Sequence, residues 1–545
     1  MKKLAYLLSM SSWLVAAQAQ AQSAAPSVPT FDVLEFVVEG NTVLPPALVE
    51  AAVAPFMGPG KTFKDMEAAR KALEKAYQDA GYLSVLVNLP DQRVDTGEVK
   101  LDVIQATVEK LKVTGSQYHL PSVIAGKVPS LAQGQVPYFP AVQAQLALAQ
   151  SAEVEVTPLI GPAQDPRQIE VELKVKDQLP IRGGVEANSR QTFNASRGRT
   201  EAVLMYGNLY QREHAAGLGW TYAPMRPGDA NTLAGLYSLP LSSTQLMSLY
   251  YARSNTNTPT KSSLGGATFT RGRYAGLVLH SDLNARQWPV THGLDFGLDF
   301  KRSNDRNEGI GGVSINKPDL RYTVASARYD LSWRGEGENI TNWRAGVYTS
   351  LRALSEREVD CNGVKLEQFA CKRSGASADF MQLKLGMGRA QTLPANWTLK
   401  FDLDLQLASG PMAPSEQMSL GGVDTVRGYY DYEQSGDQGW NSRLELVSPV
   451  WLKLKDEEGI KAVAFWDRGE LRLIKALATE KPIVQLGSIG LGLRLNNAQG
   501  LTAKLDLAIP IYDTTKPTES GGVESATGGQ DKRRWRLDLA VRQSF

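Results

Sequence analysis

After the N-terminal stretch that ends near Ala21, the chain has no run of about 20 consecutive apolar residues, so it encodes no membrane-spanning helix. In 545 residues it has two cysteines, Cys361 and Cys371, and four histidines, His119, His214, His280 and His292. The histidines are scattered without metal-ligand spacing, and two cysteines with no histidine nearby do not make a zinc site. No G-x-S-x-G or H-E-x-x-H motif occurs. Gly60-Lys61-Thr62 ends like a phosphate loop, but Pro55 stands where the leading glycine belongs, so the segment is the turn before a helix. The formal net charge is +2, which makes no case for nucleic acid. No catalytic constellation, metal or cofactor is expected.

What is present begins at the N-terminus. Lys2 and Lys3 precede the largely apolar stretch Leu4 to Ala17, and Ala17-Gln18-Ala19 and Ala19-Gln20-Ala21 are A-x-A cleavage sites. This is a secretory signal over residues 1–21, with a short segment 22–30 after it. An exported chain without a spanning helix can cross a membrane only as a closed barrel. In an oxidising compartment Cys361 and Cys371 read as a local disulfide, with two free thiols as the alternative. Closing so short a loop contributes roughly 2–3 kcal/mol.

The region before residue 179 repeats itself. Phe36-Val37-Val38-Glu39-Gly40-Asn41 is similar to Leu111-Lys112-Val113-Thr114-Gly115-Ser116, with the glycines 75 residues apart. Each unit ends in an alternating strand, Val99, Leu101, Val103 in one and Val171, Leu173, Val175 in the other. Between them the first unit reads strand, helix, helix, strand, strand. Pro45 and Pro46 suit a helix start. Thr62 and Asp65 form a variant capping box, Met66, Ala69, Leu73, Ala76 and Tyr77 share a helical face, and Gly81 ends that helix. In the second unit Val142, Leu146 and Ala149 do the same more weakly. Two small α+β domains are expected, at 31–105 and 106–178.

From Leu179 to Phe545 period-two alternation replaces helical periodicity. Trp535, Leu537, Leu539, Val541 and Phe545 oppose Arg534, Arg536, Asp538 and Arg542. Trp397 to Leu407 and Leu501 to Ile509 alternate in the same way. A soluble β-sandwich alternates too. Here the apolar face stays uncharged over about 9–11 residues, the length of a tilted membrane strand. The other face carries charges of both signs, as a wet lumen allows. Trp397, Trp535 and Phe545 stand near strand ends, where a membrane interface places aromatics. Connections near Gln211, Ser242 and Asn497 are short, while 303–319, 356–377, 409–440 and 513–533 are long. This is an all-β transmembrane barrel of about 16 antiparallel strands, with short periplasmic turns and long outer loops.

The long loop 409–440 contains Val426-Arg427-Gly428-Tyr429. Forty residues on, a strand carries Phe465, Asp467 and Gly469. Such a loop either extends outside or folds inward. If Arg427 enters the lumen it needs a partner, and Asp467 can offer a bidentate carboxylate, with Gly428 allowing a tight reversal. The alternative is a surface arginine in water, which the residues alone leave open.

Together these features resemble the two-partner secretion outer-membrane transporters, the haemolysin secretion/activation branch of a superfamily that includes the outer-membrane barrel-assembly proteins. The resemblance covers nearly the whole mature chain. Its specific motifs are V-R-G-Y in the sixth outer loop, here Val426 to Tyr429, and F-x-D-x-G on the thirteenth strand, here Phe465, Asp467 and Gly469. It implies a lumen-folded loop held by an Arg427–Asp467 salt bridge. It implies two polypeptide-transport-associated (POTRA) domains that capture an unfolded secreted exoprotein by β-augmentation. Phe545 would be the C-terminal signal read by the barrel-assembly machinery, with periplasmic chaperones assisting. Outer-membrane lipid and lipopolysaccharide would surround a monomer, and no nucleotide is implied. Loss of Arg427 or Asp467 should impair secretion, with a charge swap partly restoring it. Family members often carry an N-terminal plug helix, for which residues 22–31, with Pro26 and Pro29, leave little room. A barrel-assembly insertase shares the fold and both motifs, although two repeats favour secretion. A passive porin has no use for peptide-binding modules.

Overall fold

The computed structural model describes residues 29–151, 153–193, 195–256, 260–261, 268–269, 271–283, 289–303, 306–308, 314–316, 318–337, 339–455, 458–478, 480–514, 516–517, 523–524 and 534–545. The signal sequence, nearly all of the segment 22–30, and parts of the loops 303–319 and 513–533 lie outside the described residues. Two compact units result, one ending at Gln178 and one beginning at Leu179.

The first unit holds two copies of one fold. In the first copy Glu35–Glu39 pairs in parallel with Glu98–Gln105, which pairs antiparallel with Val85–Asn88. Helices Pro46–Val53 and Phe63–Asp79 cover the sheet, burying Val49, Leu73, Tyr77, Val85 and Leu101 in one core. Thr62 starts the long helix, its N–H donating to Asp65 at 2.8 Å. A short pair, Phe31–Val33 with Gly58–Lys61, is an addition that alternation is too brief to reveal. In the second copy Thr107–Thr114, Gln168–Asp177 and Val154–Pro162 repeat the order and directions. Helices Pro121–Gly126 and Phe139–Ala149 supply Ile124, Val142 and Leu146 to its core.

The repeated glycine has a physical cause. Gly40 and Gly115 end the first strand of each copy with φ of +87° and +80°. A Cβ there would stand 2.5 Å from the Val103 carbonyl oxygen and 2.4 Å from that of Val175, on the neighbouring parallel strand. Only glycine fits both the backbone conformation and the gap.

The second unit is a closed barrel of sixteen antiparallel strands in chain order. It closes where the last strand, Arg536–Ser544, pairs with the first, Ile181–Asn188. Alternation decides which face each side chain takes. Leu537, Leu539 and Val541 are exposed on the outer face, while Asp538 between them is buried. Trp397, Trp535 and Phe545 are exposed. At one end the strands turn tightly, as from Arg199–Leu209 into His214–Tyr222. At the other end the connections are long. The one between Ile340–Ser350 and Met381–Thr392 carries a hairpin, Glu358–Cys361 with Val364–Glu367, and a disulfide from Cys361 to Cys371.

Candidate functional site: a loop clamped in the lumen

The connection between the eleventh strand, Thr398–Ala408, and the twelfth, Gln438–Lys455, folds back into the barrel. Its stem is a short hairpin, Met418–Leu420 with Gln434–Gly436. Its tip presents Val426, Arg427, Gly428 and Tyr429, all buried.

Phe465, Asp467 and Gly469 alternate on the thirteenth strand, Glu458–Arg472, so all three face the lumen. Arg427 meets Asp467 as a fork: Nε lies 2.7 Å from one carboxylate oxygen and Nη2 2.7 Å from the other. The Arg427 backbone N–H donates to the same carboxylate at 3.1 Å. The guanidinium lies 3.6 Å from the centre of the Phe465 ring, a cation–π contact. Gly469 leaves room for the stem, since a Cβ there would come within 2.6 Å of Leu420 Cδ1. Gly428 turns the tip with φ of +88°.

Two neighbours of Arg427 are not legible in the sequence. Its Nη1 donates to Glu445 on the twelfth strand at 2.6 Å and lies 3.8 Å from Asp506 on the fifteenth. Arg494 on the fourteenth strand pairs with Asp506 at 2.6 Å and approaches Glu445 at 3.7 Å. Three carboxylates thus enclose two guanidinium groups. The sequence places Asp506 on a polar strand face, but many lumen carboxylates share that pattern, and only closure brings these together. The isolated cost of burying such charges is offset by mutual pairing and bidentate hydrogen bonds.

Apolar packing and further polar ties fix the rest of the loop. Val426 and Tyr429 join Leu420, Leu471 and Leu486 in a buried cluster. The Tyr429 hydroxyl lies 2.9 Å from the Gly487 carbonyl and 2.7 Å from that of Tyr512. Glu416 accepts from Lys301 at 2.8 Å and from the Tyr322 hydroxyl at 2.6 Å, on the seventh and eighth strands. Asp437, fully buried, forms an ion pair with Arg373 at 3.0 Å and accepts from the Met412 N–H at 2.9 Å and the Ile474 N–H at 2.6 Å. It therefore ties this loop to both neighbouring outer loops. Phe545 lies apart from this site. Its N–H and carbonyl exchange hydrogen bonds of 3.0 Å with Gly183 and finish the seam between last and first strands.

A closed sixteen-strand barrel with an outer loop held in its lumen, preceded by two βααββ domains, defines an outer-membrane transporter of the POTRA-plus-barrel class. Within that class the chain belongs to the haemolysin secretion/activation protein ShlB/FhaC/HecB family, whose model matches residues 168–495. A ShlB-type POTRA domain model matches residues 31–106. This is a two-partner secretion transporter family of the outer membrane, with POTRA domains on the periplasmic side, and a transport class rather than an enzyme class. The chain is similar to an outer membrane transporter CdiB of Escherichia coli, 23% identical over 497 residues, covering 82% of this chain and 74% of that one. The solved structure of CdiB from Escherichia coli superposes with a TM-score of 0.56 at 17% identity, over 97% of this chain and 93% of that one. BamA from Haemophilus ducreyi lacking POTRA domains 1-3 superposes with a TM-score of 0.53 at 13% identity, over 95% and 100%. At these identities the structural likenesses show the fold alone.

Proposed function

We propose that this chain captures one unfolded exported protein with its two periplasmic domains, residues 31–105 and 106–178, and passes it through the barrel, residues 179–545. The observation that carries this reading is a loop clamped in the lumen of a barrel that follows, in the chain, two domains with open sheet edges. Val85–Asn88 and Val154–Pro162 each pair on one side only among the described residues. Leu86, Leu159 and Ile160 on them are exposed. An extended peptide can add to such an edge through main-chain hydrogen bonds, with apolar side chains seated alongside. The clamp around Arg427 and Asp467 holds the loop as the main obstruction of the resting lumen. The cargo is a large exoprotein of adhesin or cytolysin type, and the transporter works as a monomer. Its own insertion uses periplasmic chaperones and the barrel-assembly machinery, with Phe545 as the signal. Deleting residues 22–179 should abolish secretion of the partner exoprotein, while the barrel still folds in the membrane. Secretion that persists without those residues sinks the capture role.

A further inference from the structure

Four arginines stand side by side across four adjacent barrel strands. The register pairs Arg253 with Arg273, Arg273 with Arg302, and Arg302 with Arg321. All four are exposed. Alternation decides their direction. Lys301 and Tyr322 turn inward to Glu416, so Arg302 and Arg321, their neighbours in sequence, emerge on the outer wall. Each arginine is one residue from a strand end, at Ser254, Gly272, Ser303 and Leu320. Those ends lead into the outer loops, so the row lies at the outer rim of the barrel wall.

Like charges directly opposite one another in a sheet are destabilising. Among the described residues Asp319 is the carboxylate that answers this row, 2.7 Å from Arg302 and 3.9 Å from Arg321. Three of the four, Arg273, Arg302 and Arg321, line an open groove of about 410 Å³ together with Arg357 of the disulfide-bearing outer loop, and Arg253 continues the row beyond its edge. One step toward the membrane centre, Tyr251, Ala275 and Phe300 stand in register on the same outer face, with Tyr251 and Phe300 exposed. The site therefore has a cationic upper edge and an aromatic lower wall with a small residue between.

We propose that this is a binding site for the phosphorylated glycolipid of the outer leaflet, lipopolysaccharide. Its phosphates would lie along the arginine row and an acyl chain between Tyr251 and Phe300. Three strand spacings make the row about 14 Å long, more than a single phosphate can satisfy. Guanidinium groups suit phosphate because they donate as planar forks, and basic clusters at a membrane surface bind anionic headgroups.

The test uses the full-length chain, purified in detergent and stripped of lipid, titrated separately with lipopolysaccharide, dephosphorylated lipopolysaccharide and phosphatidylglycerol. Arg253→Gln/Arg273→Gln leaves the Arg302–Asp319 pair in place. It should weaken lipopolysaccharide binding roughly thirtyfold, and Arg253→Lys/Arg273→Lys should retain most of it. Dephosphorylated lipopolysaccharide and phosphatidylglycerol should bind the wild type weakly and both variants alike. Unchanged lipopolysaccharide affinity in the folded glutamine variant overturns the proposal. So does equal wild-type affinity for phosphatidylglycerol, which would mark a general anionic surface.

Discussion

At the scale of residues, Arg427 holds the centre of the site. Removing Arg427 leaves Asp467 a buried carboxylate without its fork partner, a loss of about 3–5 kcal/mol, whereas removing Asp467 leaves the guanidinium still paired with Glu445 and near Asp506, a smaller loss. Arg427→Ala and Asp467→Ala should each impair secretion, measured as exoprotein in the medium against transporter in the membrane. The residue pair taken alone suggests that exchanging the two charges restores function. The geometry argues otherwise, because Glu445 and Asp506 also face the guanidinium. An aspartate at 427 would meet both, so Arg427→Asp/Asp467→Arg should secrete no better than the single variants. Outside the barrel, the Asp177 side chain, itself shielded from solvent, ends the last strand of the second POTRA domain. It accepts the N–H groups of Gln117 and Tyr118 at 2.8 Å and of His119 at 2.9 Å. Burial alone would raise its pKa, but these donors and the His119 side chain outweigh that and hold it below the usual value. A depressed folded pKa stabilises the domain above the unfolded value, about 3.9, and that contribution fades as pH falls through the folded one. Protection of the amides at residues 116–120 against hydrogen exchange, relative to the intrinsic rate at each pH, should therefore fall below about pH 4. Asp177→Ala should give the same loss of protection at neutral pH, about 2–3 kcal/mol.

At the scale of elements, the lumen loop is held at several independent places, and each suggests a different failure. Asp437 ties it to the outer loops through Arg373 and Ile474. Asp437→Ala should leave the Arg427 clamp intact but free the loop's outer end. Conductance in planar bilayers should rise and become noisier, and an unchanged current would show that this tie does not gate the pore. Glu416 anchors the loop toward the opposite strands, using Lys301 and Tyr322. In the POTRA domains the decisive positions are Gly40 and Gly115, whose repetition is visible in the amino-acid sequence. Their cause, a close approach to the Val103 and Val175 carbonyls, is not. It belongs to the parallel pairing of strands that lie far apart in the chain.

At the scale of the whole molecule, a barrel behind POTRA domains is common to transporters and insertases, and two repeats together with the family favour the transporter. The difference lies in which clients fail when the chain is depleted. Loss of one exoprotein with a normal complement of outer-membrane barrels is expected, and broad loss of barrels would overturn the single-cargo reading. Much of this architecture is written locally. Strict alternation such as Leu537-Asp538-Leu539 tells which face meets lipid, because side chains on a strand point alternately. The helical face of Met66, Leu73 and Tyr77 tells which side of a helix is buried, and the positions of Arg427 and Asp467 follow from short motifs. What the sequence could not decide is long-range. Glu445, Arg494 and Asp506 lie on three different strands, and their charges meet only when the sheet closes and strand register sets their depth. The arginine row from Arg253 to Arg321 likewise exists only as a cross-strand alignment. A one-residue slip in any of those pairings would turn that strand's arginine to the opposite face. Local pattern thus determined the barrel and the repeats, while the clamp's two principal residues were reached through the family resemblance of two short motifs. Closure and register decided the company those residues keep, because pairing between distant strands leaves no periodic mark on the chain.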